Sequence, residues 1–371
     1  MNSTGRIAFF VPDLTGGGAE RVMAILAQGF SDRGLNVDLL LIRATGPNLS
    51  LVGPGVRVVD LGTRRAILSV PPLASYISRA RPSVMISALS HANMAALTAK
   101  RLSRSSMRLV VTLHNTFSRR LQQERGLRAR CMPYLIERFY PWADEIVSVS
   151  HSAADDFVAA TGIARERVTT IHNPVVSDEM MRKAEAPVSH PWFTPGGPPV
   201  IVAAGRLSKV KDFATLIRAF AEVRPKRESR LVILGEGPER QGLERQLARL
   251  GLQHSVSMPG FVNNPYAILK RAQLFVLSSR SEALPTVLIE ALALGVPVVA
   301  TDCKSGPREI LRDGKYGKLV EVGDVDALAD AIDDSLDQPD QVPFDEACKP
   351  YTKEAAVDAY LKVAGVMSDA S

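Results

Sequence analysis

The chain has 371 residues, 46% hydrophobic and 23% charged, a balance that fits a globular protein of two domains and excludes disordered, collagen-like and repeat architectures. Its three cysteines, Cys131, Cys303 and Cys348, are widely separated and in no metal-ligand spacing, which argues against a disulfide framework or a zinc site. The net charge of +6 is uneven: residues 1–175 hold 21 Lys and Arg against 12 Asp and Glu, and residues 176–371 carry the small acidic excess.

Residues 1–13 have one basic residue and a short apolar run, Ile7 to Val11, before Pro12, so they lack a signal-peptide core. The best apolar runs, 66–78 and 291–301, fall short of the ~18 residues of a membrane span and are broken by Pro71-Pro72 or Pro297. A cytoplasmic protein that does not cross a membrane is expected. From there, short aliphatic runs alternate with stretches of helical period. Residues 7–11, 37–42, 56–61, 84–87, 109–113, 145–149 and 168–171 read as strands, with helices such as 20–33 and 152–160 between them. Strands that are apolar throughout, rather than alternating, belong to a parallel sheet covered on both faces.

Residues 185–199 carry five prolines and two glycines with no periodicity, and we expect the domain linker there. The pattern then restarts, with strands at 200–204, 231–234, 256–258, 274–276 and 298–300 and helices at 213–223, 238–250, 286–294 and 326–336. The expected architecture is α/β: two Rossmann-like, doubly wound parallel-sheet lobes, 1–180 and 196–352, facing a central cleft, with a last helix in 353–371. Ligands of such folds lie at the carboxyl ends of the strands.

Between Arg101 and Arg138, nine arginines face two acids, Glu124 and Glu137. A solvated helix face is the plain alternative; an anionic membrane surface or an anionic substrate is the functional one. Nucleic acid is disfavoured, because the segment has few aromatics to stack on bases.

Four loops at strand ends carry candidate chemistry. Gly16-Gly17-Gly18 lies between the first strand and a helix, where the backbone can approach an anion; a tight turn is the alternative. Ala204-Gly205-Arg206 with Lys211 puts two cations at a strand end, where they could clamp a diphosphate. Glu282 and Glu290 stand eight apart across a loop–helix junction, with Pro285 near the helix start; Glu290 falls in an apolar helix, where a carboxylate needs a partner. The loop from Thr301 to Glu309 adds further polar groups. Asp324-Val325-Asp326 is an apparent metal motif, but its place at a helix start favours capping.

Gly205-Arg206-Leu207 with Lys211, Gly235-Glu236-Gly237-Pro238, Gly260-Phe261, and Glu282 and Glu290 followed by Gly295-Val296-Pro297 resemble the retaining glycosyltransferases of family 4, which have the GT-B fold. The likeness covers most of 199–322; in the first half it rests on Gly16 to Arg21, His114-Asn115 and His172-Asn173-Pro174. It implies transfer of a sugar from a nucleotide diphosphate sugar, most readily a UDP sugar, to a glycan or lipid-linked acceptor. No cofactor or metal is expected, since cations at the diphosphate can stabilise the leaving group and the one D-x-D falls at a helix start; cysteine usage points to the cytoplasm, and the arginine-rich segment to the inner face of the membrane.

Carried over by position, the resemblance has Arg206 and Lys211 bind the diphosphate and stabilise the leaving group. Glu290 would bind the ribose, Glu282 would face the transferred sugar, and the backbone N–H groups of Leu284 and Thr286 would meet the sugar or β-phosphate. Phe261 and Val262 would contact the base, Gly17 and Gly18 would approach the diphosphate, and His114 would sit beside the reacting centre. A core histidine is the alternative for His114, and a structural turn for His172. Three other functions were weighed: a glycosidase using the two glutamates, a nucleotide-sugar epimerase on the same fold, and a non-catalytic two-lobed sugar-binding protein.

Overall fold

The computed structural model describes residues 5–15, 18–114, 117–118, 127–282, 284–338 and 343–366. The chain divides into two compact units, Met1–Pro174 with Thr352–Ser371, and Val175–Tyr351.

The first unit is built on a seven-stranded parallel sheet of β1 (Ile7–Val11), β2 (Val37–Leu41), β3 (Val56–Asp60), β4 (Val84–Ala88), β5 (Arg108–Leu113), β6 (Glu145–Ser148) and β7 (Val168–Thr170), in the order β3-β2-β1-β4-β5-β6-β7. Every residue of β1, β2 and β4 is buried. Alternation sends Phe10, Leu40 and Met85 into a core on one face and Phe9, Leu39 and Ile86 into a core on the other. That two-sided burial is why these strands read as largely apolar runs; the buried Asp38 of β2 is held by Arg6, Arg57 and Tyr76.

The helix Lys353–Val363 belongs to this unit and lays Ala356, Val357, Tyr360 and Leu361 into the second of these cores. It packs on the helix Gly18–Asp32 so closely that a Cβ on Gly29 would lie 2.5 Å from Val357 Cγ2. Ion pairs Arg33–Asp358 at 2.8 Å and Lys353–Asp32 at 2.7 Å tie the two helices at the surface.

The second unit carries a six-stranded parallel sheet of β8 (Val200–Ala204), β9 (Arg230–Leu234), β10 (Val256–Gly260), β11 (Leu274–Leu277), β12 (Val298–Thr301) and β13 (Lys318–Val320), in the order β10-β9-β8-β11-β12-β13. β13, three residues between Gly317 and Glu321, gave no apolar run in the sequence and escaped notice. Strand order reverses between β8 and β11, so the loops leaving these two strands diverge and open the sheet edge there.

The boundary between the units falls after Pro174, earlier than the Pro-rich stretch 185–199. That stretch packs within the second unit: His190 Nε2 bonds Ser257 Oγ at 3.0 Å, and Trp192 lies under the Arg230 guanidinium. Lack of periodicity there reflects an irregular but seated segment rather than a connector.

Most apolar residues at the end of the arginine-rich segment are turned inward, whereas Leu102 near its start is exposed. On the helix Leu127–Phe139 and the turn after it, Ile136 is fully buried and Met132, Phe139 and Trp142 pack on the core, leaving Tyr134 exposed. Arg101 and Arg138 stack on the Trp142 ring, and Arg108 Nε donates to Val363 O at 2.6 Å. Arg119, Arg120 and Arg125 lie outside the described residues. Among the described residues no helix is long and apolar enough to cross a membrane.

Candidate functional site

The loops that leave β8, β9 and β10 are bound to one another by backbone. Gly205 N donates to Leu234 O at 2.9 Å, Gly235 N to Gly260 O at 2.8 Å, and Leu207 N to Glu236 O at 2.9 Å. Gly235 sits at φ +134°, and a Cβ there would fall 2.0 Å from Gly205 O, so the loops can meet only with glycine at this position. Seen from the sequence, Gly235-Glu236-Gly237 was a motif; in the fold it is the fitting that holds the Arg206 loop.

Lys211 and Glu282 come from the two strands that flank the reversal. Lys211 Nζ donates to Glu282 Oε1 at 2.5 Å, and Ser279 Oγ donates to the same oxygen at 2.6 Å. The glutamate side chain is 12% exposed and the lysine 22%, so the pair lies at the sheet edge within reach of a ligand. An ammonium offers three N–H groups, and the single bond to Glu282 leaves Lys211 two for other acceptors.

Several ties hold this pair in register. Arg280 N donates to Val210 O at 2.7 Å, Ser278 Oγ to Lys211 O at 2.8 Å, and Arg280 Nε to Asp212 Oδ2 at 2.8 Å. Asp212 is 6% exposed, has φ +48°, and also accepts from Thr215 Oγ1. A left-handed aspartate at a helix start is strained, and its pairing with Arg280 and Thr215 offsets that strain. On the far side, Ser305 Oγ donates to Glu282 O at 2.7 Å. Ser279, Arg280, Asp212 and Ser305 were missed as supports of the pair: Ser279, Arg280 and Asp212 stand within three positions of Glu282 or Lys211, but the ties that matter join the 211–212 loop to the 278–282 loop, and no spacing in the sequence links those two.

Three helices begin along this edge: Phe213–Val223, Arg240–Leu250 and Thr286–Ala293. None has a side-chain cap, whereas Asp324 Oδ1 caps Val325–Asp337 by accepting from Ala327 N at 2.9 Å. Uncapped first turns leave backbone N–H groups and the positive end of the helix dipole facing the edge. Thr286 opens the third of these helices with Leu284 two residues before it, and Glu290 lies buried within it. Arg206 is exposed and forms no ion pair among the described residues. Phe261 is 77% exposed just beyond β10, unusual for an aromatic without a partner surface, and Val262 follows half-buried. Thus every predicted residue of the second unit falls on the carboxyl edge of one sheet or on the helix that follows it.

Cys303 neighbours the pair but is no nucleophile. Burial and the Glu282 carboxylate push its thiol up to about 12, so it stays protonated at neutral pH.

In the first unit, Gly18 opens the helix after β1, and a Cβ there would meet nothing within 4 Å, so internal packing does not demand glycine. Gly17 lies outside the described residues. His114 follows β5, and its ring fits between the two readings made of it. Thr112 Oγ1 donates its one hydrogen to Ser87 O at 3.0 Å, because a carbonyl can only accept. The contact of Thr112 Oγ1 with His114 Nε2, also 3.0 Å, therefore runs the other way, with Nε2–H as donor. That tautomer leaves a lone pair on Nδ1, which is buried without a hydrogen-bond partner among the described residues. A cavity of about 20 Å³, lined by Leu89, Ser90, Thr112, Leu113, Phe117 and Phe157, adjoins the ring. Burial holds His114 down at about 4, so the imidazole is neutral at pH 7. A core histidine normally has both nitrogens satisfied; among the described residues this one does not. His172 differs: its Nδ1 donates to Val149 O at 3.1 Å, as a turn residue would.

Two doubly wound parallel sheets, one with a basic pair and E-x7-E at its carboxyl edge, define a glycosyltransferase of the GT-B fold. Residues 16–179 match the family described as Glycosyltransferase Family 4, and residues 189–355 match Glycosyl transferases group 1. The chain belongs to the family 4 glycosyltransferases. A Campylobacter jejuni N-acetylgalactosamine-N,N'-diacetylbacillosaminyl-diphospho-undecaprenol 4-alpha-N-acetylgalactosaminyltransferase is 30% identical over 365 residues, covering 95% of this chain and 94% of that protein. The Rhizobium meliloti lipopolysaccharide core biosynthesis glycosyltransferase LpsE is 34% identical over 176 residues, 46% of this chain and 51% of its own length. Among solved structures, a Rickettsia africae glycosyltransferase superposes with a TM-score of 0.81 at 15% identity, covering 99% of each chain. Anabaena HepE in complex with UDP-glucose gives 0.72 at 21% identity, covering 98% of this chain and 97% of its own. These structural likenesses speak for the fold.

Proposed function

We propose that this enzyme transfers a sugar from a nucleotide diphosphate sugar, UDP-linked, to a lipid-linked or growing glycan acceptor, with retention at the anomeric carbon and without a metal ion. The observation that carries the reading is the Lys211–Glu282 pair at the point of strand reversal, beside uncapped helix starts. Breaking a glycosyl–phosphate bond builds negative charge on the leaving diphosphate, and fixed donors placed there lower the barrier. Lys211 spends its two remaining N–H groups on that diphosphate, Arg206 adds a bidentate cation, and the N–H groups of Leu284 and Thr286 meet the β-phosphate or sugar.

Glu282, oriented by Lys211 and Ser279, faces the transferred sugar. Glu290 accepts from the ribose hydroxyls, and Phe261 and Val262 contact the base. On the first unit, Gly17 and Gly18 approach the diphosphate, and the Nδ1 lone pair of His114 accepts a hydroxyl hydrogen beside the reacting centre. A lipid-linked acceptor is supported by the diphospho-undecaprenol in the name of the Campylobacter relative. The test is to incubate the enzyme with UDP, GDP and ADP sugars and measure nucleotide release, since slow hydrolysis needs no acceptor. Release from a UDP sugar, with an α-configured product from an α-donor by NMR, is expected. Release from none of the three, or an inverted product, would remove the reading.

A further inference from the structure

The largest exposed aliphatic side chain among the described residues is not in the arginine-rich segment but just after β3. In the sequence Arg64-Arg65-Ala66-Ile67-Leu68-Ser69, residues Ala66–Ser69 form one turn of 3₁₀-helix. Its period of three turns Ala66 and Ser69 to the same side, where Ser69 is fully buried and Ala66 packs on the core. Ile67 and Leu68 are thereby held outward, 71% and 56% exposed. Two adjacent aliphatics fixed in water are costly unless a surface covers them.

Charge says what that surface is. Arg64 and Arg65 are exposed and have no acidic partner among the described residues. Thr63 N bonds Ile42 O at 3.0 Å, which brings the loop after β2, with exposed Arg43, alongside; Arg43 too has no acidic partner among the described residues. The nearby acid in sequence, Asp60, turns its Oδ1 to Gly62 N at 2.8 Å. Three guanidiniums without acidic partners among the described residues, on the same two loops as an exposed aliphatic pair, match an anionic interface with an apolar interior.

Position adds a third argument. These loops leave the carboxyl ends of β2 and β3, the same edge of the first sheet from which the Gly18 helix and His114 depart. Of the arginine-rich segment, Arg101 and Arg104 precede β5 and Arg108 is its first residue, at the opposite edge.

We propose that Arg43, Arg64, Arg65, Ile67 and Leu68 form the ledge by which this enzyme docks on an anionic lipid bilayer, with Ile67 and Leu68 in the headgroup region and the arginines on lipid phosphates. The proposal builds on the lipid-linked acceptor reading, but its test contains no acceptor, so either can fail alone.

The full chain is floated with vesicles of phosphatidylglycerol and phosphatidylcholine, and with phosphatidylcholine alone, at low and high salt. Binding to the anionic vesicles that weakens with salt is expected. Both Ile67→Ser/Leu68→Ser and Arg64→Glu/Arg65→Glu should lower it by about tenfold or more. Leu102→Ser/Arg104→Glu, at the opposite edge, should leave it unchanged, and nucleotide release from a donor sugar should be equal in all of them. Circular dichroism and melting temperature check that each variant is folded. Wild-type protein that binds neither vesicle at low salt, ledge variants that bind as well as wild type, or loss of binding only in the opposite-edge variant would each overturn the proposal.

Discussion

Lys211 Nζ and Glu282 Oε1 stand 2.5 Å apart although 71 residues separate them in the chain. They meet because β8 and β11 are neighbours in the sheet while their following loops run to opposite sides. The glutamate places the ammonium; the ammonium keeps two donors for a ligand.

Lys211→Ala should lower kcat by about 10²- to 10³-fold, the size expected when one fixed donor to a leaving oxyanion is lost. The melting temperature should change little, since the lysine side chain is at the sheet edge. Turnover near wild type would remove Lys211 from the diphosphate.

Glu290→Gln should raise KM for the donor more than it lowers kcat, because a ribose contact is made in ground and transition states alike. Glu282→Gln should do the reverse, because the sugar contact and the placement of Lys211 matter most as charge develops. Steady-state kinetics of both variants decide, and the opposite ordering would withdraw both assignments.

His114 makes stability depend on pH. Its folded pKa, about 4, lies below the ordinary 6.5, so the unfolded chain takes up a proton first as pH falls. The contribution is fully present above pH 6.5 and is lost on the way down towards pH 4, amounting to roughly 2 kcal/mol by pH 5. Denaturant unfolding at pH 7 and pH 5 should show a steeper loss for the wild type than for His114→Ala; parallel losses would contradict a neutral buried imidazole. Thr112→Val removes the acceptor for Nε2–H and should lower turnover, with recovery in Thr112→Ser.

Gly29→Ala should destabilise the first unit by about 1 to 2 kcal/mol, the clash with Val357 outweighing the helix propensity gained. Adding Val357→Ala should recover most of the loss. Equal unfolding midpoints for wild type and Gly29→Ala would mean that the two helices can move apart at no cost.

Chelation with EDTA should leave nucleotide release unchanged. Asp324, the first acid of the one D-x-D sequence, spends its carboxylate on capping a helix, and the proposed charge stabilisers are Arg206 and Lys211. Loss of activity with recovery on adding Mn²⁺ would assign that work to a metal.

The two sheets were legible in the sequence because strands buried on both faces are mostly apolar, and β1, β8 and β11, apolar throughout, announce themselves in this way. Arg206, Lys211 and Glu282 were legible as loop residues because each follows such a strand within a few positions, whereas Glu290, inside the next helix, stood out only by its E-x7-E spacing from Glu282 and the family resemblance. The sequence was mute where contacts are non-local. It placed the domain boundary in the Pro-rich stretch 185–199, since composition records irregular backbone but not what that backbone packs against. It could not tell whether the apolar residues of 132–142 meet a lipid surface or the sheet, since their spacing is the same in both cases. Ser279 and Asp212 as the supports of Lys211, the proton on His114 Nε2, and the exposure of Ile67 and Leu68 were decided only by tertiary structure. Each depends on a neighbour brought close by strand order, and neither local propensity nor hydrophobic period carries that order.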